Sequence, residues 1–149
     1  MRNYEGLKPI QPDEECHDPT EYQQVVGSLM YAMVYTRRNI AFALGKLSQH
    51  MQKPSETHWN YLKALMRYLR SVLNLRLRFG RGNSRLKVYI DADWAGQKAD
   101  YKSTSGGVIM LFGGPVYWQS KVQRLVATLS TESEYIAMSI NAKTTQWLT

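Results

Sequence analysis

The chain has 149 residues, 44% of them hydrophobic, which suits one domain or a small domain with a helical appendage and suffices to bury a core. No apolar run approaches the roughly 20 residues that span a bilayer, and no apolar stretch follows the first basic residue as in a signal peptide, so the expectation is an intracellular chain without membrane contact. A single cysteine, Cys16, excludes an internal disulfide, the scattered His17, His50 and His58 argue against zinc, and the net charge of +7 is concentrated between residues 22 and 90, where twelve Lys and Arg face only Glu56.

Residues 1–21 are acidic and carry Pro9, Pro12 and Pro19 without helical or strand periodicity, so they read as a linker or arm with no core of its own. From Tyr22 the apolar spacing becomes helical. Tyr22, Val26, Leu29 and Met33 form one stripe and Ile40, Leu44, Leu47 and Met51 a second, with Asn39 between them as an expected N-cap. A third helix is predicted to start near Ser55 and to bury Trp59, Leu62, Met66, Leu69 and Leu73. Lys63, Arg67 and Arg70 fall on its flank, and Arg76, Arg78, Arg81, Arg85 and Lys87 continue the basic run. Such a block suits a phosphate backbone, although a solvated basic face fits the charge alone equally well. Tyr61 and Tyr68 could stack on bases, but aromatic residues at helical spacing are more often core.

A turn-rich break over residues 80–84 precedes a change of period to two. Leu86, Val88 and Ile90 alternate with Lys87, Tyr89 and Asp91, which predicts a strand that delivers Asp91 at its end and leaves Asp93 in a turn beyond it. Residues 106–112 and 116–119 read as an antiparallel hairpin around Gly113-Gly-Pro115. A helix follows, with Thr131 and Glu134 at capping-box spacing. Glu132 and Glu134 diverge by about 200° on a helix, so they cannot both face one ion. Asp91 with one glutamate is a carboxylate pair that a bound cation would make tolerable. The fold class expected is a mixed α/β (α+β) one, divided into an acidic linker (1–21), a helical segment (22–80) and a partial sheet-and-helix domain (81–149).

Asp91-Ala-Asp-Trp-Ala-Gly96, Lys102-Ser-Thr-Ser-Gly106, Trp118-Gln-Ser-Lys121 and Ser130-Thr-Glu-Ser-Glu-Tyr-Ile-Ala137 together closely resemble the ribonuclease H domain of copia-type LTR retrotransposon Pol polyproteins. The helical block is similar to the segment joining reverse transcriptase to that domain, through Glu21-Tyr-Gln-Gln-Val-Val-Gly-Ser-Leu-Met-Tyr31, Ile40-Ala-Phe-Ala43, Leu47-Ser-Gln49 and His58-Trp59. The resemblance implies hydrolysis of the RNA strand of an RNA/DNA hybrid at a two-ion magnesium centre, with manganese able to substitute, and recognition of RNA by its 2′-hydroxyls. It implies Asp91 and Glu134 as metal-binding and catalytic carboxylates, with Asp93 and Glu132 as neighbours, and Lys63, Arg67, Arg70, Arg76 and Arg78 as candidate nucleic-acid contacts. The rest of the polyprotein is the implied partner, and the cytoplasm, retrotransposon particles or the nucleus the implied location.

Two departures accompany the resemblance. The third and fourth ligands of that family lie beyond the helix in which this sequence stops, and Arg38-Asn39 stands where a proline and an aspartate are usual. The expectation is therefore either a ribonuclease H fragment that acts with further segments, or an inactive remnant that at most binds nucleic acid as a basic module.

Overall fold

A computed structural model describes residues 4, 7–11, 14–80, 85–97 and 100–148, the side chain of Gln97 excepted. Arg81 and most of the predicted break at 80–84 lie outside them. Among the described residues the fold is a mixed α/β one, with four α-helices, a short 3-10 helix and a three-stranded antiparallel sheet. Two compact units divide the chain, Met1–Arg76 and Leu77–Thr149.

The first unit is helical. Helix α1 spans Pro19–Tyr35, with proline at its start and the Asp18 carboxylate accepting from the Thr20 N–H at 2.8 Å. The expected Asn39 cap is absent: a 3-10 turn over Arg38–Ile40 leads into α2 (Ala41–Ser48), whose cap position is Ile40. The Asn39 amide instead donates to the Tyr68 hydroxyl at 2.9 Å. Helix α3 (Glu56–Ser71) starts at Ser55 as its sequence predicts, in a capping box where His58 takes the place usual for Glu or Gln. The Ser55 N–H donates to His58 Nδ1 (3.0 Å), so the ring proton sits on Nε2 and points to the Lys8 carbonyl at 2.9 Å.

Tyr22, Val26, Ile40, Leu44, Leu47, Leu62 and Leu65 form the core of this unit. Tyr61 and Tyr68 pack against it as expected of core aromatics. Leu73 does not, because α3 ends at Ser71 and Leu73 lies exposed beyond it. The leader departs further from expectation. Tyr4 and Leu7 pack against the same core, the His17 ring stacks on Trp59 at 4.4 Å, and Cys16 bridges to Ser55.

In the second unit β1 (Lys87–Gln97), β2 (Lys102–Leu111) and β3 (Gly114–Val122) pair antiparallel in the order β1-β2-β3. Strand β1 runs past Asp91, which therefore lies inside it opposite Gly106, and Asp93 pairs with Thr104 rather than forming a turn. The irregularity comes later, between Asp93 and Gln97, where Ala95 takes a φ of 52° and its N–H is held by the Ser103 hydroxyl at 3.2 Å. The Asp93 carboxylate lies against Gly96, and a side chain there would push it aside. Phe112 and Gly113 make the hairpin turn with φ of 51° and 78°, the left-handed pair that suits a two-residue connection. Helix α4 (Ser130–Leu148) covers the sheet through Ser133, Ala137 and Asn141, which recur every four residues.

Candidate functional site

Hydrogen bonds from the sheet set the position of α4 along β1. Gln123 Nε2 donates to the Ser105 hydroxyl (2.8 Å) and to the Ser133 carbonyl (2.9 Å), and Ser105 stands opposite Ala92. The first turn of α4 is thereby tied to the level of Ala92, between Asp91 and Asp93. Two turns further on, Asn141 Oδ1 accepts from Gln119 at 3.1 Å while its amide donates to the Ala137 carbonyl at 2.8 Å. Gly107 lies directly under Asn141, and a Cβ there would overlap the Asn141 amide.

These bonds decide which glutamate is available. Glu132 Oε2 accepts from the Thr128 N–H (2.7 Å) and hydroxyl (3.0 Å), and those two donors hold its carboxyl below the usual range. Glu132, not Glu134, thus ties down the start of α4. Glu134 is half-buried and falls between two arcs of the helix. One is the inward face of Ser133, Ala137 and Asn141. The other is the arc of Tyr135, Met138, Ser139 and Ala142, which forms an open cleft of about 720 Å³ with Val88 and Ile90. Glu134 is therefore on the β1 flank of α4, in the turn tied to Ala92.

Asp91 is exposed and alternates with Val88 and Ile90, so it leaves β1 on the face away from α4, beside Tyr89 and Lys87. The two carboxylates approach the middle of β1, near Ala92, from its two sides. Neither makes a hydrogen bond or ion pair among the described residues, whereas Asp93 lies against the backbone of Gly96. Among the described residues no group of three or more His, Cys, Asp or Glu is gathered as a metal site. The pair does not by itself fit a two-ion centre, since magnesium needs near-octahedral oxygen ligation at each ion.

The basic candidates divide between the units. Lys63, Arg67 and Arg70 share one side of α3, within about 60° of arc. Lys63 is partly engaged, 3.6 Å from Glu56 and over the Trp59 ring. Arg67 and Arg70 are exposed, and Arg67 Nε reaches only the Lys63 carbonyl at 3.3 Å. Arg76 is exposed in the segment after α3. Arg78 belongs to the second unit, where its backbone lies against Gly114 and Gly80 donates to the Phe112 carbonyl at 3.0 Å.

The polar seam of Ser105, Gln119, Gln123 and Asn141 was not apparent from hydropathy, which reads such residues as exposed. Its signal was the small and polar set Ser133, Ala137, Asn141 at helical spacing beside a glycine-bearing strand.

The chain is 48% identical over 129 residues to the protein named Secreted RxLR effector protein 161 of Plasmopara viticola, which covers 86% of this chain and 91% of that one. It is 45% identical over 127 residues to the retrovirus-related Pol polyprotein from transposon TNT 1-94 of Nicotiana tabacum and 42% over 132 residues to that from transposon RE2 of Arabidopsis thaliana. These matches take in 85% and 88% of this chain but only 10% and 9% of the polyproteins. No protein-family model and no solved structure matches the chain. The chain therefore belongs to the family represented by the Plasmopara viticola protein and is homologous, over most of its length, to a segment of the retrovirus-related Pol polyproteins of transposons.

Proposed function

We propose that the chain is the connecting and ribonuclease H portion of a copia-type Pol polyprotein, and that Asp91 and Glu134 are its contribution to a site hydrolysing the RNA strand of RNA/DNA hybrids. The observation that carries this reading is the division of labour among four neighbouring acids. Glu132 is spent on the start of α4 and Asp93 lies on Gly96, while Asp91 and Glu134 stay unengaged on the two sides of the middle of β1. The ligand set is incomplete within the described residues, so carboxylates from elsewhere in a polyprotein would have to join the pair before magnesium chemistry could proceed. By itself the chain then holds nucleic acid through its basic block and leaves it uncut. The second reading, a non-catalytic basic module, draws on the same absence of a third ligand.

Binding is testable through its salt dependence. Fluorescence anisotropy with a labelled RNA/DNA hybrid should give affinity that falls steeply with salt, because neutralised phosphates release counterions. Arg67→Ala and Arg70→Ala should each weaken binding and lower the log–log salt slope by about 1, whereas Lys63→Ala, whose ammonium already serves Glu56 and Trp59, should change it less. Affinity that ignores salt, or that survives loss of both arginines, would contradict a phosphate-binding role for α3.

A further inference from the structure

The segment from Leu7 to Asp18 crosses the start of α3, and two of the ties that hold it there pass through histidine rings. Cys16 bridges to Ser55 and the His17 N–H donates to the Pro54 carbonyl at 2.8 Å, which fixes the backbone. The His17 side chain then stands between α1 and α3. Its Nε2 lies 3.1 Å from Glu21 Oε2 and its Nδ1 lies 3.2 Å from Glu56 Oε2, while the ring stacks on Trp59. A carboxylate oxygen can only accept, so the ring satisfies both neighbours as an imidazolium that donates from each nitrogen. A neutral ring would set a lone pair against one of them. Lys63 Nζ, 3.6 Å from Glu56, is the other charge on this cluster.

At Lys8 the demand is reversed. Its carbonyl accepts from His58 Nε2, while His58 Nδ1 accepts from the Ser55 N–H, so this ring is neutral. His58 is 1% exposed and stacks on His50. Its acidic neighbour is Glu14, whose carboxyl the Ser55 and Thr57 hydroxyls hold below the usual range. Burial outweighs the pull of the Lys8 carbonyl and of Glu14, so His58 takes up a proton less readily than in water. Between the segment and α3 lies an open cleft of about 350 Å³, lined by Leu7, Pro9, Gln11, Thr57 and Tyr61 among others. Over that stretch polar ties rather than close packing hold the segment down.

We propose that this segment is a proton-gated strap over the start of α3, closed only while His17 is charged and His58 is neutral. The two conditions bound closure from both sides. Once uncovered, His58 regains its ordinary pKa of about 6.5, so acid favours the open form. At this end closure is complete above about pH 6.5 and is lost below it. In alkali His17 gives up its second N–H, and one of its two carboxylates loses a donor. Opening leaves Glu56 to Lys63 alone, bares one face of Trp59 and lifts Glu14 from Ser55 and Thr57. The strap is independent of the hydrolytic reading, since Asp91 and Glu134 belong to the other unit.

Cys16 is the sole cysteine of the chain and is exposed, so a nitroxide attached to it reports on the strap in the full chain. Its paramagnetic resonance spectrum should contain an immobilised component that peaks at an intermediate pH and declines toward acid and toward alkali, while the helical circular dichroism signal holds. At the peak, 15N shifts of the three histidines should show two ring protons on His17 and one on His58, at Nε2. His58→Gln keeps an acceptor for the Ser55 N–H and a donor for Lys8 with no proton to gain, so it should abolish the decline in acid and leave that in alkali. His17→Gln should shrink the immobilised component at the peak and abolish its decline in alkali. Mobility that ignores pH, acid release that persists in His58→Gln, or a neutral His17 ring at the peak would each overturn the proposal. Release that coincides with loss of helical signal would overturn it equally, because the segment would then leave with the fold and not ahead of it.

Discussion

Gly107 and Asn141 show how closely α4 is set onto the sheet. The Asn141 side chain is fully buried and bonded at both ends, to Gln119 and to the Ala137 carbonyl, so it cannot swing away from a methyl group introduced beneath it. Gly107→Ala should therefore destabilise the second unit by about 1–3 kcal/mol, the usual range for overpacking. Asn141→Ala would remove the obstacle while leaving Gln119 without its acceptor. The double variant should then be more stable than the sum of the two single effects, a coupling that denaturant unfolding of all four proteins measures directly. Strict additivity would mean that Gly107 and Asn141 do not touch as described. The sequence displays the glycine and the asparagine separately, but their opposition depends on the register Ile90–Gly107–Gln119, which no local pattern encodes.

At the scale of elements, the helices with periodic apolar stripes were legible and the pieces held by long-range polar contacts were not. Tyr22, Val26, Ile40, Leu44 and Leu47 lie buried where their spacing puts them. The docking of the leader was invisible because it rests on contacts such as His58 with Lys8 and Cys16 with Ser55, some 40 to 50 residues apart in sequence. Strand β1 outran its prediction because Asp93 reads as a turn former, whereas pairing with Thr104 keeps it extended. His58 gives the α2–α3 junction a pH dependence. Burial lowers its pKa, against the opposing pull of the Lys8 carbonyl and Glu14. Burial, followed by the neighbouring His58, lowers that of His50 to about 4, and the two rings stack at 3.9 Å. Both histidines take up protons more readily in the unfolded chain, so their contribution is complete above pH about 6.5 and is lost as pH falls below it, for His50 down to about 4. Protonation of His58 Nδ1 would also remove the acceptor of the Ser55 N–H and open the capping box. The thermal midpoint of the helical unit should drop between pH 7.5 and 5, above the range where carboxylates titrate, and His50→Gln should flatten that drop. A midpoint unchanged over this interval would contradict the buried neutral pair.

For the whole molecule, the chain joins a helical unit to a sheet-and-helix unit that carries two unengaged carboxylates, and its relatives include segments of transposon Pol polyproteins. Periodicity exposed the helical unit, and composition placed the positive charge in a block from Arg37 to Lys87 that belongs to both units. The unengaged carboxylates needed geometry. Only the bond from Thr128 to Glu132 shows which glutamate α4 uses for itself, and only the tie from Gln123 to Ser133 brings Glu134 to the level of Ala92. The most direct measurement is the cleavage of an end-labelled RNA/DNA hybrid in magnesium by the folded chain, beside Asp91→Asn and Glu134→Gln. The account predicts that the chain binds the hybrid and leaves it intact, because two carboxylates do not make a two-ion centre. Cleavage by the wild-type chain that disappears in both variants would contradict it, and would show that Asp91 and Glu134 suffice.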